Sequence, residues 1–161
     1  QVGGGSPAMA MKLVNTGLLK RQIDARYATV FFATLTPDGL LTYCNAGHNP
    51  PLIFGASGLR RLDSGSMPVG FFEHAPYADD TEQLQVNDVL VVYSDGVTEA
   101  VNVGDDQYGN ERLLGAIRPA GGSIRELTRA LADDVARFSQ GCEQRDDITI
   151  VAFGRSPEGR P

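Results

Sequence analysis

An uninterrupted apolar segment, Val-Leu-Val-Val-Tyr, occupies residues 89–93 of the chain. It is short and rich in β-branched and aromatic side chains, which favours a strand over a helix. Because successive side chains of a strand point to opposite faces, a strand without a polar position needs cover on both sides. The segment therefore predicts a layered domain in which other elements pack against both faces of a sheet.

Other segments predict further strands, several of them in hairpins. Residues 28–35 are rich in β-branched and aromatic side chains, and residues 40–44 return as their partner strand. The turn between them is Pro37-Asp38-Gly39, where Pro presets φ and Gly accepts a positive φ. Shorter strands are predicted at residues 52–54, 59–62, 84–86 and 148–153, and a turn at residues 87–88 joins the third of these to residues 89–93.

Apolar residues recur at helical spacing in three segments. The first begins at Ala8 and ends near residues 21–24. Its apolar face consists of Met11, Val14 and Leu18. A short helix is predicted from Asn110, and a longer one follows the capping box formed by Ser123 and Glu126.

Residues 63–80 and 95–110 are predicted to be irregular loops. Strands in hairpins with helices grouped between them are typical of an α+β domain, in which helices pack against antiparallel sheet. The length of 161 residues fits a single domain.

The net charge limits the classes of binding partner, and the cysteine pattern indicates the redox setting. The chain has 14 Lys and Arg against 20 Asp and Glu, a net charge of −6, which argues against nucleic acid or an anionic membrane surface as a partner. No apolar run reaches the roughly 18 residues of a membrane span. Cys44 and Cys142 form no CxxC pattern, which favours a reducing, cytoplasmic setting.

Asp95 follows the apolar strand after a single serine, and Gly96 comes next. A carboxylate at the end of a buried strand is held firmly, and glycine lets the chain turn away at once. A metal ligand fits this pattern. On spacing alone, a simple Asp-Gly turn is the alternative.

Two adjacent acids, Asp146 and Asp147, precede the last predicted strand. On a strand they would face opposite sides, so that one of them could point into a site. The alternative is a solvated beginning of that strand.

A third candidate is the loop of residues 45–51, Asn-Ala-Gly-His-Asn-Pro-Pro. His48 lies among small residues there, although a single loop histidine is more often a structural hydrogen-bonding group. Neither histidine nor either cysteine is part of a nucleophilic triad pattern, which favours a metal-activated water over a side-chain nucleophile.

Five segments stand in a fixed order along the chain: residues 45–51, 67–70 (Met-Pro-Val-Gly), 87–100, 108–113 and 145–151. In order and spacing they resemble the C-terminal two-thirds of the PPM-type, metal-dependent serine/threonine phosphatases of the bacterial SpoIIE/RsbU-type branch. The resemblance covers roughly residues 3–154. It predicts a partial phosphatase domain at residues 1–154 and a flexible tail at residues 155–161.

The resemblance implies an α-β-β-α sandwich with two manganese or magnesium ions at one end of the sheets. Asp95 and Asp146 match the family's catalytic metal-binding residues. The resemblance also assigns Gly96 and Asp147 to the metal site, with Asp147 in a supporting position. Hard divalent cations prefer carboxylate oxygens, and two ions can activate a water that attacks phosphoserine or phosphothreonine. If Asp95 is buried, a cation would also offset the cost of burying its charge. The family's substrate loop matches Asn45, Gly47 and His48.

The sequence departs from the family at its beginning. The family has two further acidic ligands, and Gly3-Gly4-Gly5 matches its Gly-His-Gly element with Gly4 in place of histidine. The ligand aspartate would therefore precede Gln1. The sandwich would lack its N-terminal strands and have an exposed sheet edge that can pair with another chain.

Two functions follow from the resemblance. The first is a phosphatase whose substrate is a phosphoprotein such as an anti-sigma-factor antagonist, with weak metal binding and slow turnover in these 161 residues alone. The second is a phosphatase-like domain that has lost catalysis and works as a protein-interaction or sensor module.

Overall fold

The computed structural model describes residues 5–21, 27–117 and 124–156. Its strands form two antiparallel sheets, one with the order β1-β2-β5 and one with the order β4-β3-β6-β7. The elements in chain order are α1 (Pro7–Lys20), β1 (Val30–Leu35), β2 (Leu40–Ala46), β3 (Leu52–Gly55), β4 (Gly58–Arg61), β5 (Asp80–Gln83), β6 (Val89–Tyr93), α2 (Asp95–Thr98), α3 (Gly109–Ile117), α4 (Ile124–Phe138) and β7 (Ile150–Gly154).

The two sheets face each other, with helices on both outer sides. In β2, Leu41 and Tyr43 point into the core between the sheets, whereas Cys44 and Ala46 point outward and pack with α1. On the opposite side, α3 and α4 cover the outer face of the second sheet. The predicted α-β-β-α sandwich is confirmed.

Strand β6 is covered on both faces, as its continuous apolar sequence predicts. Leu90 lies in the core between the sheets. Val91 and Tyr93 lie in the outer core, against Leu131 and Val135 of α4. The strand therefore joins two cores and fixes the position of whatever follows its last residue.

Helix α1 begins at a cap formed by Ser6, whose side chain accepts a hydrogen bond from the Met9 N–H at 3.1 Å. Met11 is buried as predicted, but Val14 is 44% exposed, so its predicted place on the apolar face is wrong. The polar residue Asn15 is buried instead.

Hydrogen bonds from a neighbouring loop explain why a polar residue is buried in α1. Asn15 donates to the carbonyl oxygen of Phe72 at 2.8 Å and accepts from the Gly70 N–H at 2.7 Å. Tyr77 O–H also donates to Asn15, at 3.3 Å. A polar side chain that is satisfied in this way can replace an apolar one in a core.

The predicted strand at residues 84–86 is wrong. The strand before β6 is β5, which ends at Gln83 and pairs with β2 rather than with β6. Leu84 follows that strand and is fully buried between the sheets, which explains the apolar signal. The turn predicted at residues 87–88 lies one residue earlier: the Asp88 N–H donates to the Gln85 carbonyl oxygen at 3.0 Å, and Asn87 has φ 71°.

Several other boundaries differ from prediction. Strand β1 begins at Val30 rather than at residue 28, and β2 continues to Ala46 rather than ending at residue 44. Residues 95–98, predicted as loop, form the short helix α2, and the last strand begins at Ile150 rather than at residue 148. The capping residue Ser123, the Gly3-Gly4 pair and residues 157–161 of the predicted tail lie outside the described residues. In the part of the chain that the structure describes, no helix is both long enough and apolar enough to cross a bilayer.

Candidate metal centre

Ser94 connects the end of β6 to the segment that precedes β7. Its N–H donates to the carbonyl oxygen of Thr149 at 3.0 Å. Its hydroxyl donates to the carbonyl oxygen of Asp147 at 2.8 Å and accepts from the Thr149 N–H at 2.9 Å. Three hydrogen bonds thus hold residues 147–149 against the residue just before Asp95. This role of Ser94 was not predicted from the sequence, where its only signal is a serine directly after an apolar strand.

Gly96 lies directly against the backbone of the two adjacent acids. A Cβ atom at this position would come within 2.5 Å of the Asp147 carbonyl oxygen and 3.3 Å of that of Asp146. Only glycine permits this approach, because real Cβ atoms essentially never lie so close to a backbone atom. The fold therefore brings Asp95 and Asp146 to the same end of the sheets, despite their separation in sequence.

All three aspartates of this group are exposed. The expectation of a buried Asp95 is wrong, because helix α2 begins at Asp95 and turns it toward solvent. Asp146 and Asp147 do not face opposite sides of a strand either, since they lie in the loop ahead of Ile150. Exposed carboxylates need no cation to offset burial. They are accessible to magnesium or manganese, which usually keep several water ligands.

Local hydrogen bonds limit how these carboxylates move. Oδ1 of Asp95 accepts from the Gly96 N–H at 3.1 Å, and Oδ1 of Asp146 accepts from the Asp147 N–H at 2.7 Å. The Gln144 side chain donates to the carbonyl oxygen of Asp146 at 2.8 Å. Each of the two carboxylates has a second oxygen, Oδ2, that takes no part in these bonds.

The loop of residues 45–51 is closed by the side chain of Asn45, which is buried. Its Oδ1 accepts from the His48 N–H at 2.8 Å, and its Nδ2 donates to the His48 carbonyl oxygen at 2.9 Å. Between them, Gly47 has φ +75° and packs so closely on Pro68 that a Cβ atom would lie 2.6 Å from its Cγ. Residues 45–48 therefore have one defined shape.

His48 lies close enough to Asp95 for its carboxylate to act on the imidazole. Burial lowers the pKa of His48 below its ordinary value, and the negative charge of Asp95 opposes this shift. Thr29 Oγ1 lies 3.5 Å from Nδ1 of the ring. The structure thus places the loop of residues 45–51 at the same end of the molecule as the aspartates.

Oxygen donors dominate this end of the molecule, which is the ligand chemistry that magnesium and manganese prefer. Across residues 5–21, 27–117 and 124–156, no three or more His, Cys, Asp or Glu side chains are grouped so that they could hold a metal ion. Asp95 and Asp146 are therefore two candidate ligands of a site that needs further ones.

The model of one protein family, described as Stage II sporulation protein E (SpoIIE), matches residues 3–156. The chain belongs to the SpoIIE family. It is 28% identical over 158 residues to the phosphoserine phosphatase RsbU of Bacillus subtilis, covering 94% of this chain and 46% of RsbU. It is 29% identical over 150 residues to protein IcfG of Synechocystis sp., covering 91% of this chain and 24% of IcfG. The chain spans less than half the length of these two relatives.

Solved structures of PP2C-type phosphatase domains have the same fold. The SiaA PP2C domain of Pseudomonas aeruginosa superposes with a TM-score of 0.81 at 17% identity, covering 95% of this chain and 61% of that one. The SpoIIE phosphatase domain of Bacillus subtilis superposes with a TM-score of 0.69 at 21% identity, covering 98% of this chain and 69% of that one. The predicted family and fold are confirmed, and PP2C-type phosphatases are generally metal-dependent.

Proposed function

We propose that this chain is the part of a protein phosphatase domain that supplies two of its metal ligands, Asp95 and Asp146. The observation that carries the proposal is the contact of Gly96 with the Asp146–Asp147 backbone, which brings remote carboxylates to one end of the sheets. The relation to RsbU, named as a phosphoserine phosphatase, supports a phosphoserine or phosphothreonine substrate.

Each residue of the group has a proposed role. Asp95 and Asp146 hold manganese or magnesium through their carboxylates, and Gly96 allows both to reach the same ions. Asp147 supports them, because its carbonyl oxygen is fixed by the Ser94 hydroxyl. When bound, such ions acidify a water molecule and stabilise the charge that develops on a phosphoryl group.

The loop of Asn45, Gly47 and His48 is proposed to receive the phosphorylated residue. Gly47 is exposed, and the Asn45 side chain fixes the loop conformation through two hydrogen bonds to the His48 backbone. A lowered pKa leaves the His48 imidazole neutral at pH 7, so that one ring nitrogen can donate a hydrogen bond. The loop therefore contributes hydrogen bonds rather than a competing positive charge.

We further propose that the remaining acidic ligands come from residues ahead of Gln1, as the resemblance to PPM-type phosphatases implies. Two carboxylates hold a divalent ion less tightly than a complete set, so the 161 residues alone would turn over slowly. An anti-sigma-factor antagonist as substrate stays a prediction.

An interaction or sensor module without catalysis is the second candidate. Two observations favour it: among the described residues no three or more His, Cys, Asp or Glu side chains are grouped to hold a metal ion, and Gly4 stands where the family has histidine. In this case the fold would be retained to bind a partner. Enzymatic assay of the full-length protein separates the two functions.

The test is manganese-dependent hydrolysis of a phosphothreonine peptide by the full-length protein. We expect turnover in the wild type and a loss of at least about 100-fold in kcat for Asp95→Asn and for Asp146→Asn, because each removes a ligand charge. Asp133→Asn, an exposed aspartate of α4, is the matched control and should keep full activity. Thermal unfolding checks that every variant is folded.

Two results would contradict the proposal. Absence of manganese-dependent turnover in the wild type would favour the interaction module. Full activity in both Asp95→Asn and Asp146→Asn would mean that other residues hold the ions.

A further inference from the structure

A cavity of about 430 Å³ lies next to the proposed metal ligands. It is enclosed by α2, by the C-terminal part of α4 and by the loop that follows α4, and Gly96 and Asp146 form part of its wall. Of the residues that line the cavity, the hydrolytic reaction proposed above involves only Gly96 and Asp146. The cavity is therefore positioned to receive a part of the substrate that lies beside the phosphorylated residue.

Negative charge predominates around the cavity. The carboxylate-bearing residues Glu99, Glu143 and Asp146 line it. The only basic residue in the lining, Arg145, already pairs with Asp105 at 2.8 Å. Among the residues that the structure describes, the Glu99 and Glu143 carboxylates have no ion-pair or hydrogen-bond partner, so both can bind an incoming cation.

The end of α4 adds to this negative potential. Ser139, Gln140 and Gly141, which follow its last turn, are part of the cavity wall. The carbonyl oxygens of Val135 and Arg137 in the last turn accept from the N–H groups of Ser139 and Gln140. The C-terminal end of a helix nevertheless carries a partial negative charge. A positive group in the cavity would meet both the carboxylates and this helix end.

One part of the remaining wall is apolar and consists mainly of small side chains. Ala132 and Ala136 lie one turn apart on α4, and Ala100, Val101 and Ile148 add to this apolar part, while Gln107, Cys142 and Gln144 also line the cavity. Methylene groups pack favourably on such a wall, while a charged end can stay near the carboxylates. An aliphatic stem with a cationic head is the side chain that matches this combination.

We infer that the cavity binds the side chain of an arginine that flanks the phosphorylated serine or threonine of the protein substrate. This inference rests on the proposed phosphatase function and adds a sequence preference to it. Arginine fits better than lysine, because its planar guanidinium can engage more than one carboxylate. Glu99 and Glu143 are the specificity-determining residues, and the alanines of α4 leave room for the stem.

The experiment measures kcat/KM of the full-length protein with manganese for a series of phosphothreonine peptides. A single arginine is moved through the positions flanking the phosphothreonine, with alanine at that place in the reference peptide. para-Nitrophenyl phosphate, which has no flanking residue, reports the hydrolytic reaction itself. We expect kcat/KM to be about tenfold higher for the peptide with arginine at one of these positions than for the reference peptide with alanine there. The preference should shrink as salt rises from about 0.1 M to about 1 M.

Two variants test the cavity by independent means. Glu143→Gln removes a charge at constant shape, and Ala136→Leu fills the apolar part from an exposed helix position. Both should reduce the arginine-to-alanine ratio toward one. Glu111→Gln, an exposed glutamate on α3 outside the cavity, is the matched control and should keep the wild-type ratio.

The outcomes separate the two levels of the proposal. Hydrolysis of para-nitrophenyl phosphate and peptides with no arginine preference at any position would overturn the cavity inference alone. An arginine preference that persists in both Glu143→Gln and Ala136→Leu would also overturn the cavity inference alone. Absence of manganese-dependent hydrolysis of every substrate would overturn the phosphatase proposal, and the inference with it.

Discussion

At the scale of single residues, carboxylates in this molecule serve two different purposes. Asp88 is 1% exposed and accepts hydrogen bonds from Arg60 Nη2 at 2.7 Å and from the Gln85 N–H at 3.0 Å. Asp95 and Asp146, in contrast, are exposed, and the hydrogen bond to each carboxylate comes from the N–H of the next residue. The buried charge stabilises the fold, whereas the exposed ones remain available to a ligand.

Replacing Asp88 should test its structural role. In Asp88→Ala we expect the free energy of unfolding to fall by about 2–3 kcal/mol, because Arg60 loses its buried ion-pair partner and, among the described residues, keeps only Glu82, at 3.3 Å, as an ion pair. Urea denaturation measures this change.

The control for this variant is Asp63→Ala, which removes an exposed ion pair with Arg61. The free energy of unfolding of Asp63→Ala should fall by less than about 1 kcal/mol, since exposed ion pairs contribute little to stability. Equal losses in the two variants would show that burial does not distinguish these aspartates.

At the scale of elements, the junction of β6 and α2 positions the proposed site. Strand β6 is fixed by two cores, Ser94 binds the segment before β7, and Gly96 lets that segment lie against α2. The position of Asp95 therefore depends on three packed elements rather than on a loop of its own.

Gly96→Ala should disrupt this junction. The added Cβ would lie 2.5 Å from the Asp147 carbonyl oxygen, so the backbone of residues 146–147 must move away from α2. We expect the free energy of unfolding to fall by about 1–3 kcal/mol, with at least about tenfold lower manganese-dependent activity in the full-length protein.

Gly115→Ala is the matched control for this substitution. Gly115 lies inside α3, and nothing is within 4 Å of an added Cβ. Since alanine is the better helix former, stability should rise by about 0.5–1 kcal/mol with activity unchanged. Equal responses of the two glycines would contradict a close contact at Gly96.

The same elements show what the sequence could and could not predict. The apolar run of β6 and the turn at Gly39 depend on local chemistry, and both predictions hold. Asn15 in the core and the exposure of Asp95 depend on partners distant in sequence, which periodicity cannot report. The convergence of Asp95 and Asp146 followed from the resemblance to known phosphatases, because spacing alone left a plain turn as an alternative.

At the scale of the whole molecule, three edge strands of the described sheets, β1, β4 and β7, have exposed apolar side chains. Leu35 of β1 is 42% exposed and Val151 of β7 is 51% exposed. In the described part of the chain, each of these strands pairs on one side only. The prediction that another strand pairs at such an edge agrees with this exposure and stays a prediction.

The proposed function depends most on the binding of metal ions between Asp95 and Asp146. Crystals of the full-length protein grown with manganese, measured at the manganese absorption edge, locate the ions directly by anomalous scattering. We predict a peak within about 2.5 Å of carboxylate oxygens of both Asp95 and Asp146. Peaks confined to other parts of the molecule would contradict the account.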